Sequence, residues 1–329
     1  MSEPVLQISD LQIEFPGLVR NVQVVRGVNL TIDRGKILGL VGESGSGKSM
    51  TAMACLGLVP SPGRVRGSVK VDGFEVVGRT EKELAHLRGG SVAMIFQNPM
   101  RALNPFFTIG QQMVEILRRH RRLDAAQARE AVIEVLHSVK LPDPELALDK
   151  YPHQLSGGQI QRVIIALALA CQPKLLIADE PTTALDVTIQ AQIIALLGEL
   201  VDRMNLTVLF ITHDLSVVAS LCDEVAVMYA GKIFETGTVD DVFNAPKHPY
   251  TCKLMDTVLA VGRGATELES IPGQVPDLMF LPSGCAFHDR CDRASNVCAR
   301  VAPESKIFNN GHAAACHHIS NEPVDIGDL

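Results

Sequence analysis

Gly42-Glu-Ser-Gly-Ser-Gly-Lys-Ser49 is the stretch on which the reading of this chain turns. It fits the pattern of a glycine, four residues and then glycine-lysine-serine. The residues before it, Ile37-Leu-Gly-Leu-Val41, predict a short buried strand. Those after it, Met50 to Leu58, predict an apolar helix ending near Gly57 and Pro60. Strand, glycine-rich loop and helix form the context in which this motif holds phosphate. Glycines let the backbone turn tightly enough for the amide N–H groups of Gly42, Glu43, Ser44, Gly45, Ser46 and Gly47 to point inward at phosphate oxygens. The helix start adds unpaired N–H groups and about half a positive charge. Lys48 is expected to reach the β- and γ-phosphates, and the Ser49 hydroxyl to sit on Mg²⁺. Gly42–Ser49 is therefore read as a nucleoside triphosphate site.

Length and composition bound what surrounds that site. A chain of 329 residues has room for about two domains and a sizeable core. Hydrophobic residues make up 47% of it, yet no run approaches the ~20 apolar residues that span a bilayer. Met1-Ser-Glu-Pro carries no basic-then-apolar signal pattern, so a cytoplasmic protein is expected. The net charge of −7 argues against a general affinity for nucleic acid.

Working outward, Val5 to Phe15 and Val22 to Ile32 alternate apolar and polar residues and predict two half-buried antiparallel strands. Gly67 to Val77 predicts a further strand pair turning at Asp72-Gly73, and Glu81 to Arg88 a short charged helix. Ile109 to about Asp149 reads as helical, with the basic run Arg118–Arg122 as a solvated face. Val225 to Thr236 reads as a hairpin over Ala230-Gly231. Beyond about residue 262 the composition shifts to proline, glycine, cysteine and histidine, which marks a boundary.

Several strand ends carry polar groups, which is where ligands bind in an open α/β sheet. Gln97 follows the apolar run Ser91–Phe96. Asp179 and Glu180 follow Lys174-Leu-Leu-Ile-Ala178; with opposite side-chain directions, Asp179 suits Mg²⁺ and Glu180 suits an attacking water. His213 follows the buried run Leu206–Thr212. Leu155-Ser-Gly-Gly-Gln159 opens an apolar helix, Ile160 to Ala170, with Ser156 and Gln159 at capping-box spacing and Gly157 and Gly158 between them. The exposed amides there make a second anion-binding helix start.

Together these motifs resemble the ATP-binding subunit of an ABC transporter. GESGSGKS looks like its Walker A, Gln97 its Q-loop, LSGGQ its signature, and LLIADE its Walker B with the catalytic glutamate Glu180. Ala184-Leu-Asp186 looks like the D-loop and His213 like the switch histidine. The likeness runs over residues 1–250 and implies an α/β P-loop ATPase core with an antiparallel β subdomain and a helical subdomain near 98–165. Residues 251–329 would form a small cysteine-containing C-terminal region. It also implies that two such domains face each other, so that Ser156, Gly157, Gly158 and Gln159 contact ATP held by a partner chain. Gln97 joins Ser49 and Asp179 around Mg²⁺. Phe15, a packed strand residue by its own pattern, becomes the adenine-stacking aromatic, although tyrosine is the family's usual residue there.

Phrases such as MIFQNPMRALNP, YPHQLSGGQ, IADEPTTALDVTIQAQI and HPYT at 248–251 narrow the resemblance to the dipeptide, oligopeptide and nickel importers. In that group two different ATPase chains pair, serve two membrane-spanning permease subunits and receive substrate from an extracytoplasmic binding protein. The chain would then work at the cytoplasmic face of a bacterial inner membrane. A DNA-repair ABC ATPase would need a long coiled coil between Lys48 and Ser156, and no heptad stretch of that length is present. A translation-associated one usually carries two cassettes.

Eight cysteines fall into two sets. Cys55, Cys171, Cys222 and Cys252 lie in apolar stretches and read as small core residues. Cys285, Cys291, Cys298 and Cys316 are separated by 5, 6 and 17 residues and suggest a metal or cluster site. Those spacings exceed the short loops of structural zinc, and four thiolates also hold iron–sulfur clusters. The subfamily resemblance implies a 4Fe-4S cluster, with Zn²⁺ and free thiols as the alternatives. The role would be structural, with a redox-sensing ATPase as the other reading.

Overall fold

The computed structural model describes residues 3–17, 20–98, 102–183, 185–262, 271–308 and 311–319. Ala184 of the expected D-loop, and residues 99–101 within the MIFQNPMRALNP run, lie outside these. Strands β1 (Leu6–Phe15) and β2 (Val22–Ile32) pair antiparallel, with Leu6 and Ile8 and, past a register shift, Leu11 and Ile13 turned into the core. The fully buried β3 (Ile37–Val41) leads through the phosphate loop to α1 (Lys48–Ala54). This helix starts at Lys48 rather than Met50 because Gly47, at φ 107°, takes the N-cap. It also ends earlier than expected. The N–H groups of Cys55, Leu56 and Gly57 reach back only three residues, tightening the last turn before Gly57 turns left-handed.

Strands β4 (Arg64–Val71) and β5 (Phe74–Glu75) complete a four-stranded antiparallel sheet of order β2-β1-β4-β5. Next come α2 (Glu81–Leu87) and β6 (Val92–Ile95), then a helical region of α3 (Ile109–Arg121), α4 (Ala125–Ser138), α5 (Pro144–Ala147) and α6 (Gly157–Leu169). Each of the three longer helices opens on a capping box, from Thr108, Asp124 and Ser156.

The rest of the chain builds the main sheet. Strand β7 (Leu175–Asp179) is followed by α7 (Val187–Met204), β8 (Thr207–Ile211), α8 (Leu215–Leu221) and the hairpin β9 (Glu224–Tyr229) with β10 (Lys232–Thr238). Helices α9 (Val239–Asn244) and α10 (Pro249–Gly262) come next, then β11 (Lys306–Ile307) and β12 (Ala313–Ala314). The eight strands run β11-β12-β10-β9-β3-β8-β7-β6, with the five from β9 to β6 parallel. The C-terminal strands are stitched antiparallel onto this sheet, Glu235 opposite Ala314 and Thr236 opposite Ala313.

Side-chain alternation along the parallel strands supplies cores on both faces. Leu176, Ala178, Val208 and Phe210 pack toward the helical region, while Leu175, Ile177, Leu209 and Ile211 pack toward the antiparallel sheet. A third core joins Tyr229, Phe234 and Tyr250 to Phe287, Cys285 and Cys298 of the C-terminal region. No helix among the described residues is long and apolar enough to cross a membrane. The topology sets Gly42, Gln97, Glu180 and His213 just past the carboxyl ends of β3, β6, β7 and β8, at one edge of the sheet.

Candidate nucleotide-binding site

The phosphate loop is held in a shape that side chains resist. Gly42 has φ 148°, and a Cβ there would lie 2.1 Å from the Met228 carbonyl oxygen. At Gly47 a Cβ would lie 2.8 Å from the Val24 carbonyl oxygen. The loop is thus wedged between β2 and β9, while its tip, Ser44 and Gly45, stays exposed. Lys48 threads back under the loop: Nζ donates to the carbonyls of Gly42 at 2.7 Å and Glu43 at 3.0 Å. Burial pushes its pKa down, and the nearby carboxylates of Glu180, Asp179 and Glu43 push it up.

Asp179 is buried at the end of β7 and meets the Ser49 hydroxyl. Burial raises its carboxyl pKa, the Ser49 hydrogen bond opposes this, and the adjacent Glu180 charge adds to the rise. Ser49, Asp179 and Gln97 line one wall of an open cleft of about 920 Å³. Oxygen donors of this kind suit Mg²⁺. The cleft runs on past Phe96, which is 41% exposed, to Ile116, His120 and Ala168.

Glu180 is the meeting point of the expected strand-end residues. Gln97 Nε2 donates to its Oε2 at 2.9 Å, and His213 Nδ1 lies 3.3 Å from its Oε1. The Thr183 hydroxyl, which the sequence reading passed over, donates to Oε2 at 3.0 Å. Burial pushes the Glu180 pKa up, but the hydrogen bonds from Thr183 and His213, the His213 charge and Gln97 outweigh it, holding the carboxyl below its usual range. The backbone there is left-handed, φ 46°, and its N–H donates to the Ile211 carbonyl, which turns the side chain away from Asp179. The two neighbouring carboxylates thereby occupy different environments, one beside Ser49 and one beside Gln97 and His213.

The remaining expected residues are placed as follows. Ser156 Oγ accepts from the Gln159 N–H at 3.3 Å while Gln159 Oε1 accepts from the Ser156 N–H at 3.0 Å, closing the expected capping box. Ser156 and Gly157 are exposed, so the helix start faces outward. Asp186 is exposed and caps α7 by accepting from the Ile189 N–H at 2.9 Å. Phe15 is half-buried against the second core, its ring edge close to Gly63. It pairs with Val22 at the end of β1.

Glu43, inside the phosphate loop, has two partners that sequence reasoning did not find: its N–H donates to the Tyr250 hydroxyl at 3.0 Å, and its carboxylate pairs with Arg290. Both lie more than 200 residues downstream, so no local signal announces them.

Cys285, Cys291, Cys298 and Cys316 line one cavity, together with His288, His317 and Phe287. Burial pushes the Cys285 thiol up to about 11 and raises those of Cys291 and Cys316. Among the described residues, no three His, Cys, Asp or Glu side chains are gathered closely enough to hold a single metal ion.

The fold and this arrangement of phosphate loop, strand-end carboxylates and signature helix define an ABC-type ATPase. Residues 25–183 match the family described as ABC transporter, and residues 234–298 match the oligopeptide/dipeptide transporter C-terminal region. The oligopeptide transport ATP-binding protein OppD of Salmonella typhimurium is 46% identical, over 94% of this chain and 92% of its own. The probable D,D-dipeptide transport ATP-binding protein DdpD of Escherichia coli is 45% identical over 99% and 100%. Among solved structures, the ATP-binding cassette MJ0796, a dimer bound to ADP and Pi in its post-hydrolysis state, superposes with a TM-score of 0.64. It is 27% identical and covers 71% of this chain and 98% of that one. The chain belongs to the family of ATP-binding subunits of oligopeptide and dipeptide ABC transporters.

Proposed function

We propose that this chain hydrolyses ATP to power the import of oligopeptides or dipeptides, at the cytoplasmic face of a bacterial inner membrane. The observation that carries it is the convergence of Gln97, Thr183 and His213 on an ionised Glu180, beside the Lys48 and Ser49 phosphate loop. Gly42–Ser49 cradle the phosphates, and Phe15 stacks on the adenine. Mg²⁺, held by Ser49, Asp179 and Gln97, would neutralise phosphate charge. Glu180 orients the attacking water and accepts its proton, while Gln97 and His213 hold that carboxylate and the γ-phosphate in line.

A second, homologous ATPase chain completes each site. The exposed Ser156 and Gly157 at that helix start support this, and the MJ0796 cassette is itself dimeric. Asp186 lies at the junction between the two chains. The cleft bordered by Gln97 and Phe96 receives a permease subunit, so that closure on ATP moves the two permease subunits. An extracytoplasmic binding protein delivers the peptide, as the resemblance to the peptide importers implies.

The cysteine set supports a 4Fe-4S cluster over zinc. Four thiols lining one small cavity, with the subfamily resemblance, favour a cluster, and Zn²⁺ is the alternative. Cys285, Cys291, Cys298 and Cys316 would hold it and staple together the loops that carry them. An anaerobic visible spectrum with iron analysis checks this, and a colourless, iron-free protein refutes it. The transport reading is tested by uptake of labelled dipeptide, longer peptide and nickel in cells carrying Glu180→Gln. Loss of peptide uptake alone is expected; loss of nickel uptake with peptide uptake intact refutes the substrate.

A further inference from the structure

The guanidinium of Arg290 has five N–H donors, and each finds an acceptor. Nη1 donates to Glu43 Oε2 at 2.6 Å and to the Tyr229 hydroxyl at 3.2 Å. Nη2 donates to Glu43 Oε1 at 3.0 Å and to the Ile271 carbonyl at 3.2 Å. Nε donates to the Pro272 carbonyl at 2.8 Å. The side chain is only 7% exposed, and the planar group lies 5.8 Å from the ring centres of both Tyr229 and Phe287. A fully used, bidentate fork of this kind fixes position as well as charge.

What it fixes is the second residue of the phosphate loop. Glu43 sits beside the cradle, and its charge already acts on Lys48. Left unpaired, that carboxylate would repel a triphosphate. Arg290 cancels the charge and holds the loop from outside, while Lys48 and the Tyr250 hydroxyl hold its backbone. Arg290 directly precedes Cys291, and its own carbonyl accepts from Lys253. The group gripping the loop is therefore seated in the cysteine-lined region.

We infer that Arg290 is a positioning residue of the nucleotide site, through which the C-terminal cysteine region neutralises Glu43 and completes the phosphate loop. Arg290 touches no substrate, so its removal acts on ATP affinity and leaves the chemical step to Glu180.

The test compares Arg290→Gln with the double variant Glu43→Gln/Arg290→Gln, in the full-length chain assembled with its transporter partners. KM and kcat for ATP are measured together with iron content and melting temperature. Arg290→Gln is expected to raise KM about tenfold, equivalent to about 1.4 kcal/mol, with kcat held within about twofold. The double variant is expected to recover most of that KM, because a neutral residue at 43 needs no neutralising partner. A KM unchanged by Arg290→Gln overturns the inference, as does a loss confined to kcat. If Arg290→Gln merely disorders the cysteine region, iron and melting temperature fall in both variants and Glu43→Gln recovers nothing. That result overturns it too.

Discussion

Glu235 is a fully buried carboxylate in β10 that serves three donors from two later segments. The N–H groups of Lys247 and His248 reach it at 2.6 and 2.8 Å, and His312 Nε2 lies 2.7 Å from Oε1. Replacing it with alanine strands two backbone N–H groups and one ring nitrogen in a site closed to water. Each buried backbone donor left unpaired costs about 1 kcal/mol or more, and losing the buried hydrogen bond between the carboxylate and the imidazole adds about 2 kcal/mol. The sum is about 4 kcal/mol. In a chain of this size each kcal/mol is worth about 2 °C, so thermal denaturation followed by circular dichroism should show a midpoint lowered by about 8 °C. Amide exchange at Lys247 and His248 should accelerate in the same variant. Glu235→Gln, which keeps one good acceptor, should fall between the two. A midpoint within about 2 °C of the parent, with those amides still protected, would refute the view that this carboxylate ties the C-terminal region to the sheet.

Two further outcomes are expected. Glu180→Gln should lower phosphate release by about 10²–10⁴-fold while binding of a fluorescent ATP analogue persists; lost binding would mean that the carboxylate shapes the site instead. His248 is buried against Phe234, and its Nδ1 accepts from the Tyr250 N–H at 3.0 Å, so burial lowers its pKa to about 3. Below about pH 6.5 the unfolded chain takes a proton at this residue that the folded chain refuses. Its contribution to stability is therefore complete above about pH 6.5 and drains away as pH falls toward 3. The His248 ring resonances should stay fixed between pH 8 and 5, and a titration near 6.5 would contradict the burial.

Much of this was legible in the chain because the signals are local. The phosphate loop, the capping box at Ser156 and the apolar runs of β7 and β8 each declare themselves within ten residues. The parallel strands follow because a run buried on both faces is continuous rather than alternating. The strand-end positions of Gln97, Glu180 and His213 then follow from topology. Helices α7, α8 and α10 were absent from the sequence reading, although Asp186 and Asp214 cap the first two. Thr183 was missed because a threonine three residues past a strand-end carboxylate looks like any turn residue. Glu235 sits in a polar-looking strand end, and its partners lie up to 77 residues away. Arg290 is one of several basic residues in the C-terminal region, and only the packing of Tyr229, Tyr250 and Phe287 carries it to the phosphate loop.

The position of β12 has a consequence for solubility. Without it, β10 would end the main sheet with a row of unpaired N–H and C=O groups, a template on which another chain can grow. The C-terminal strands move that frontier outward to β11, which has only two residues, one of them a lysine. A strand so short and charged offers little for a neighbour to pair with. The C-terminal segment thus shields the sheet from self-association, and a chain cut after α10 would expose Phe234–Thr236 as an adhesive border.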